Sequence, residues 1–353
     1  MSASHPVDVL YYDITPTDLN TIEDLLARTG AEYGHPEAPE FLLDAPRLAA
    51  GLPGELTRFL RTFRLTESSA AVVVRGLPVD DAGIGPTPLH WSKQADPATT
   101  RREEFFFALV ASVLGEPFGW STLQGGRLVH NVIPIPGEEC QQSGHGSSDL
   151  LEWHTEDGFH PNRCDYLGLI GLRNHGEVPT TYASVATLDL PEDYLQVLAE
   201  PRFLIRPDTE HLRNARADDA GSPSTVQRIG TAPVPTAVLF GGVDRPYLRI
   251  DPYFMSSVPG DGYAADALEL VTKQLEANLE DIGRARRGGP LHRQLPRRTR
   301  PSTVPGRLRR HRPVAEEARA QPRPAQLARP ARQCRLARVV LTTPPGGFSA
   351  QRG

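Results

Sequence analysis

The sequence predicts a mainly β fold with flanking helices, in a single domain over residues 1–283. Three observations predict it. Apolar runs of strand length occur at 70–74, 127–134, 166–173, 236–240 and 247–251. Amphipathic segments at helical spacing stand on either side of them. The chain has 353 residues of ordinary apolar content, enough for a full core, and no apolar run long enough to cross a membrane.

Taken in order, residues 17–29 form a helix with Thr17 as its N-cap, Leu19, Ile22, Leu25 and Leu26 on one face, and Gly30 just past its end. Residues 54–64 make a second amphipathic segment, and Ala70 to Val74 read as a short buried strand. On a helix over 101–114, Phe105, Phe106, Leu109 and Val113 face the sheet as core packing. The part up to about residue 115 is thus helical, and the β core begins at about 116. Between 205 and 232 the polar, Gly- and Pro-rich composition predicts a long loop, of a kind often used as a lid. A last helix over 264–281 places Leu268, Val271, Leu275 and Leu279 at helical spacing, and no internal repeat is present.

Composition narrows the function classes. A net charge of -5 gives no sign of a nucleic-acid partner. Lys93 and Lys273 are the only lysines. The N-terminus lacks the basic start and apolar stretch of a signal peptide. Cys140, Cys164 and Cys334 are far apart and in no C-x-x-C spacing, which points to a reducing cytoplasm and away from a disulfide or zinc framework.

The most informative stretch is Trp153-His154-Thr155-Glu156-Asp157-Gly158-Phe159-His160-Pro161. On a strand, residues i and i+2 point to one face, so His154 and Glu156 can reach one metal together. A third ligand would complete a 2-His-1-carboxylate triad, which suits Fe(II) and leaves positions open. By itself the spacing equally fits a charged surface residue beside a half-buried His. The context is more specific. With Asp165-Tyr166-Leu167 and the run Leu169 to Asn174, the stretch resembles the clavaminate synthase-like branch of the Fe(II)/2-oxoglutarate-dependent oxygenases. Within that branch it most resembles the L-arginine β-hydroxylases of peptide-antibiotic biosynthesis. The resemblance covers roughly residues 8–283 and is most specific over 150–185. It implies a double-stranded β-helix (jelly-roll) core, with Fe(2+), 2-oxoglutarate as co-substrate and O2. It also implies decarboxylation to succinate and CO2, coupled to hydroxylation of an amino-acid C–H bond.

The resemblance assigns roles residue by residue. His154 and Glu156 become the iron ligands, and a carboxylate at Glu156 argues against a halogenase. Thr181 matches a threonine that hydrogen-bonds 2-oxoglutarate, although a β-branched residue also suits any strand. Gln124 matches a position near the substrate amine, and the second oxygen of Glu156 can also bond that amine. A guanidinium substrate needs carboxylates placed for paired hydrogen bonds. Asp251 is the first candidate and Asp244 the second; both also read as turn-forming Asp beside Pro or Gly. Ser147, Ser148 and Asp149 could form a substrate-facing loop or a solvated one. His130, His145, His160 and His175 read as structural or exposed.

Beyond Gly283 the composition changes. Residues 284–338 are dense in Arg and Pro, with Glu316 and Glu317 their only acidic residues and no Phe, Tyr or Trp. This tail reads as a disordered basic arm, as an anion-binding arm, or as a translation in the wrong reading frame. Joining the last two bases of each codon to the first of the next lets Leu291 to Pro296 read Phe-Ile-Asp-Asn-Tyr-Arg, Arg297 to Pro301 read Ala-Val-His-Gly-Arg, and Arg312 to Ala318 read Asp-Arg-Trp-Leu-Lys-Lys-Leu. That series is how the family supplies its distal iron histidine and its 2-oxoglutarate arginine. Those residues overlap the codons of Thr299/Arg300 and Pro313/Val314, so the chain as written carries neither. His292 and His311 are in no strand-like context. A frame-shifted 284–353 is expected to be irregular and poorly packed.

The function expected is hydroxylation of free L-arginine or a close analogue in secondary metabolism, on a small-molecule substrate and with no membrane or nucleic-acid partner. The rivals are a related oxygenase of another amino acid or small amine, and an inactive jelly-roll protein with a basic partner-binding tail.

Overall fold

The computed structural model describes residues 9–93, 96–137, 153–174, 180–217, 221–282 and, as backbone, 337–342. The chain divides into two units, 1–284 with 334–353, and 285–333; every described residue belongs to the first. The helices are α1 (Pro16–Glu32), α2 (Pro39–Ala49), α3 (Gly54–Thr66), α4 (Arg101–Leu114), α5 (Glu192–Leu198), α6 (Thr209–Asn214), α7 (Thr225–Thr231) and α8 (Gly262–Ala277). The strands are β1 (Val9–Asp13), β2 (Ala71–Arg75), β3 (Tyr166–Ile170), β4 (Thr180–Tyr182), β5 (Phe203–Ile205), β6 (Leu239–Gly241), β7 (Pro246–Leu248), β8 (Met255–Ser257), β9 (Glu280–Ile282) and β10 (Ala337–Thr342). Among the described residues helices outweigh strands. Among those residues no helix is long and apolar enough to cross a membrane.

One sheet of four parallel strands runs in the order β1-β2-β10-β3. Three antiparallel pairs, β4–β9, β5–β8 and β6–β7, complete the described strands. Alternation on β2 divides the core. Val72 and Val74 join the cluster formed by the first four helices, where Phe41 meets Phe105 edge-on at 4.9 Å. Val73 points the other way, to Tyr182 and Ile282 of the β4–β9 pair. A second core gathers Leu198, Phe203, Val238, Leu239, Ile250, Val271 and Leu275, with Trp153 packed against it. That core supports the segment bearing His154.

Several boundaries differ from the expectation, each for a local reason. The N-cap of α1 is Thr15, not Thr17: its hydroxyl accepts from the Asp18 amide at 3.1 Å, and Asp18 accepts from the Thr15 amide at 3.0 Å. Pro16 takes the first helical position, where a missing N–H costs nothing. Gly30 lies inside the helix. Helix α2 went unforeseen because Pro46 sits within it. No strand forms over 127–134. The amides of Leu128 and Val129 both donate to Glu37 Oε1 at 2.9 Å, so a side chain takes the bonds a ladder would need. The last helix stops at Ala277, and Leu279 passes into the turn before β9. The expected loop 205–232 holds α6, capped by Asp208, and α7, capped by Ser224 with Gln227. The expectation that 284–353 is irregular fails at β10, whose backbone pairs with β2 and β3.

Candidate active site

Residues 153–155 have no regular secondary structure and 156–159 form a turn, so the His-x-Glu pair is not on a regular strand. The expected geometry arises all the same. Thr155 is buried, its amide donates to the Ile250 carbonyl at 2.7 Å, and its hydroxyl accepts from the Ile250 amide at 3.1 Å. With Thr155 committed inward, His154 and Glu156 emerge together, and His154 Nε2 stands 3.6 Å from Glu156 Oε2. Their side chains remain 29% and 32% exposed, open to a ligand.

The same pairing brings Asp251 into the site, one residue after Ile250. Asp251 Oδ1 accepts from the Tyr253 and Phe254 amides at 3.2 and 3.1 Å, which realises its turn-forming role. Its carboxyl pKa is raised, chiefly by burial; the field of His154 opposes the rise and that of Asp208 adds to it. Asp208 was missed in the sequence because it reads as an ordinary helix cap, which it also is: its Oδ1 accepts from the His211 amide at 2.7 Å.

The remaining candidates are placed as follows. Gln124 is buried with φ +42, and its side-chain amide closes on Asn131, donating to the Asn131 carbonyl and accepting from the Asn131 amide. One N–H of that amide is used, and the second is available in principle to a substrate. Thr181 is half-buried on β4, opposite Asp281 of β9. Asp244 is exposed in the turn between β6 and β7, where its turn reading placed it. His160 is buried, and burial lowers its pKa; it packs edge-on against Trp120 at 4.6 Å. His130 contacts the Arg127 carbonyl at 2.9 Å. Both are structural, as expected. His145, His175, Ser147, Ser148, Asp149, His292 and His311 lie outside the described residues. Among the described residues no group of three His, Cys, Asp or Glu side chains is disposed to hold a metal.

Sequence reasoning also missed the residues behind His154 and Glu156. Asp157 accepts from Trp120 Nε1–H and contacts His211 Nε2 at 2.9 Å, while His211 Nδ1 lies 2.6 Å from Thr122 Oγ1. His211 has no exposed surface. Burial works against its imidazolium, but the Asp157 hydrogen bond and the charges of Asp208, Asp157 and Glu156 outweigh burial and raise its pKa. The adjacency of Asp157 to Glu156 was the one sequence signal for this network.

Comparison with known proteins places the chain. No protein-family model matches it. It is 40% identical over 254 residues to an enduracididine beta-hydroxylase of Streptomyces hygroscopicus, covering 69% of this chain and 74% of the relative. It is 37% identical over 280 residues to an L-ornithine/L-arginine 3-hydroxylase of Catenulispora acidiphila, covering 76% and 82%. The non-heme iron oxygenase OrfP, solved with Fe, succinate and (3S)-hydroxy-L-Arg, superposes with a TM-score of 0.71 at 39% identity, over 77% of this chain and 82% of OrfP. OrfP has also been solved with Fe and alpha-ketoglutaric acid.

Proposed function

The chain belongs to the clavaminate synthase-like family of Fe(II)/2-oxoglutarate-dependent oxygenases, and from that premise we propose that it hydroxylates free L-arginine or a close analogue in antibiotic biosynthesis. The observation that carries the substrate reading is the Thr155–Ile250 pairing, which sets Asp251, next in the chain after Ile250, against the segment that bears His154 and Glu156. A carboxylate carried on the segment paired with the candidate ligands can take a guanidinium through paired hydrogen bonds and so present a carbon to the metal.

The residues present fit iron. An imidazole and a carboxylate 3.6 Å apart, both partly exposed, offer the donor chemistry that Fe(II) accepts. When bound, Fe(II) with 2-oxoglutarate and O2 supplies the oxidising chemistry that breaks the C–H bond. The protein's part is to bind and orient. His154 and Glu156 hold the metal, and the second oxygen of Glu156 takes the substrate α-amino group with Gln124. Thr181 bonds the 2-oxoglutarate carboxylate. Asp251 Oδ2, which takes no hydrogen bond among the described residues, faces the guanidinium with Asp208. A cation docked there relieves the burial of the Asp251 charge. Asp244 has no part in this arrangement.

The proposal extends to the fold and the tail. A jelly-roll core is supported by the superposition on an iron oxygenase. The distal histidine and the co-substrate arginine belong to the alternative frame of the codons after Gly283. The enzyme is read as cytoplasmic.

The test incubates the chain as written and a frame-restored chain with Fe(II), 2-oxoglutarate and L-arginine, and measures succinate and hydroxyarginine by mass spectrometry. Hydroxyarginine from the restored chain is expected. Succinate formation driven by L-asparagine and not by L-arginine overturns the substrate reading.

A further inference from the structure

Asp157 follows Glu156 directly and holds φ at +47. A residue with a Cβ adopts this left-handed conformation only where its surroundings hold it there. Its backbone closes the turn, since the Gly158 amide donates to the Thr155 carbonyl at 3.2 Å and the His160 amide to the Asp157 carbonyl at 2.9 Å. Its side chain is only 7% exposed, yet Trp120 Nε1–H donates to Oδ2 and His211 contacts Oδ1 at 2.9 Å. In the tautomer that carries its proton on Nε2, His211 donates to Asp157 Oδ1. His211 Nδ1 meets the Thr122 hydroxyl at 2.6 Å, and its ring is walled edge-on by Phe159 at 5.0 Å and Trp120 at 5.8 Å. Both nitrogens are engaged and the ring plane is fixed. Three stretches of chain meet on one buried carboxylate: 120–122, the metal turn, and α6, whose cap is Asp208. Asn214 at the other end of α6 donates to the Thr122 carbonyl at 2.8 Å.

A buried polar network is a costly way to pack a turn, because its groups leave water before their partners return anything. Such a network, when satisfied, fixes one geometry. We propose that His211 is a positioning residue: through Asp157 it sets the direction of Glu156, and through α6 it keeps Asp208 in register with the metal pair. The inference rests on the proposed reading of His154 and Glu156 as metal ligands and goes beyond it, since His211 touches neither.

The test uses the full chain, His211→Phe, which keeps a ring and its edge contacts but loses both nitrogens, and His211→Gln, which keeps an N–H for Asp157 and an oxygen for Thr122. Hydrogen exchange of residues 156–160, followed by mass spectrometry, reads the turn. Mn(II) alone, titrated by the loss of its free EPR signal, reads the metal pair. In H211F the turn amides are expected to exchange at least tenfold faster and Mn(II) affinity to fall at least tenfold, with α1 amides unchanged. H211Q is expected within threefold of the unaltered chain on both. Unchanged exchange in H211F, or a loosened turn with unchanged Mn(II) affinity, overturns the inference and leaves the ligand reading standing. Equal losses in H211F and H211Q reduce His211 to packing and also overturn it. If the unaltered chain binds no Mn(II), the ligand reading fails for the chain as written, and exchange alone decides whether His211 fixes the turn. Should H211F not fold, Asp157→Asn takes its place, because an amide cannot accept from Trp120 and His211 together; wild-type exchange in D157N overturns the inference.

Discussion

Thr155 and Ile250, ninety-five positions apart, hold each other twice: the Thr155 amide donates to the Ile250 carbonyl at 2.7 Å, and the Ile250 amide donates to the Thr155 hydroxyl at 3.1 Å. This single pairing aims His154 and Glu156 to one side and delivers Asp251 beside them. Thr155→Val keeps the shape and removes the acceptor. The buried Ile250 amide then lacks a partner, at a cost of about 1–3 kcal/mol. Urea unfolding should show that loss, and Thr155→Ser should recover most of it. A T155V chain as stable as the parent means that the hydroxyl contact carries no weight.

His154→Ala and Glu156→Ala should each abolish arginine-dependent succinate formation in a frame-restored chain. Each removes one of the proposed metal ligands, and the rest of a facial triad cannot hold Fe(II) in place without it. Full turnover by either variant removes that residue from the ligand set.

Much of this site was legible in the sequence, and the reason is local chemistry. His154 and Glu156 are two residues apart, so the alternation that carries them to one side needs no knowledge of the fold, and it survives although 156–159 is a turn. Asp208 and His211 were not legible, because their meaning depends on a contact spanning 54 residues between His211 and Asp157. The helices of the first layer were read well where apolar spacing is regular, as on α4, and badly where Pro46 interrupts it. Strands were the weaker reading. Over 127–134 the apolar pattern is real, but the amides are bound by Glu37, a residue ninety positions away that no local pattern announces.

Asp251→Asn should weaken arginine far more than it weakens the fold. The amide keeps the turn acceptor for Tyr253 and Phe254 and removes the charge that faces a guanidinium. The loss in kcat/KM for arginine should be about 2–5 kcal/mol, the range for deleting one partner of a buried charge pair. An unchanged kcat/KM moves the guanidinium seat away from Asp251, with Asp208→Asn the next variant to measure.

Glu104 offers a pH test of the helical layer. It is buried on α4, with Thr100 donating to Oε1 at 2.7 Å and Arg127 3.6 Å from Oε2. Burial raises its pKa, and these partners only partly oppose the rise. A carboxyl whose folded pKa lies above its unfolded value contributes stability below the unfolded value and loses it as pH rises through the folded one. Stability relative to Glu104→Gln should therefore fall as pH climbs out of the acid range. Parallel pH profiles for the two proteins in urea unfolding rule this out.

The tail gives the last prediction. β10 stands between β2 and β3, with Val339 opposite Val72 and Gly168. Deleting 284–353 from the written chain should leave two facing strand edges unpaired, and exposed edges of that kind promote association. Light scattering of the truncated chain should rise well above that of the parent. Catalysis should follow a different rule. If the codons after Gly283 are read one base out of step, the written chain lacks the distal histidine and the co-substrate arginine. One base inserted or deleted near the Ile282–Gly283 codons should then restore 2-oxoglutarate turnover that the written chain does not show. Mass spectrometry of the natural protein reads the same question directly. Peptides matching 284–353 as written, in a protein that hydroxylates arginine, refute the frame proposal.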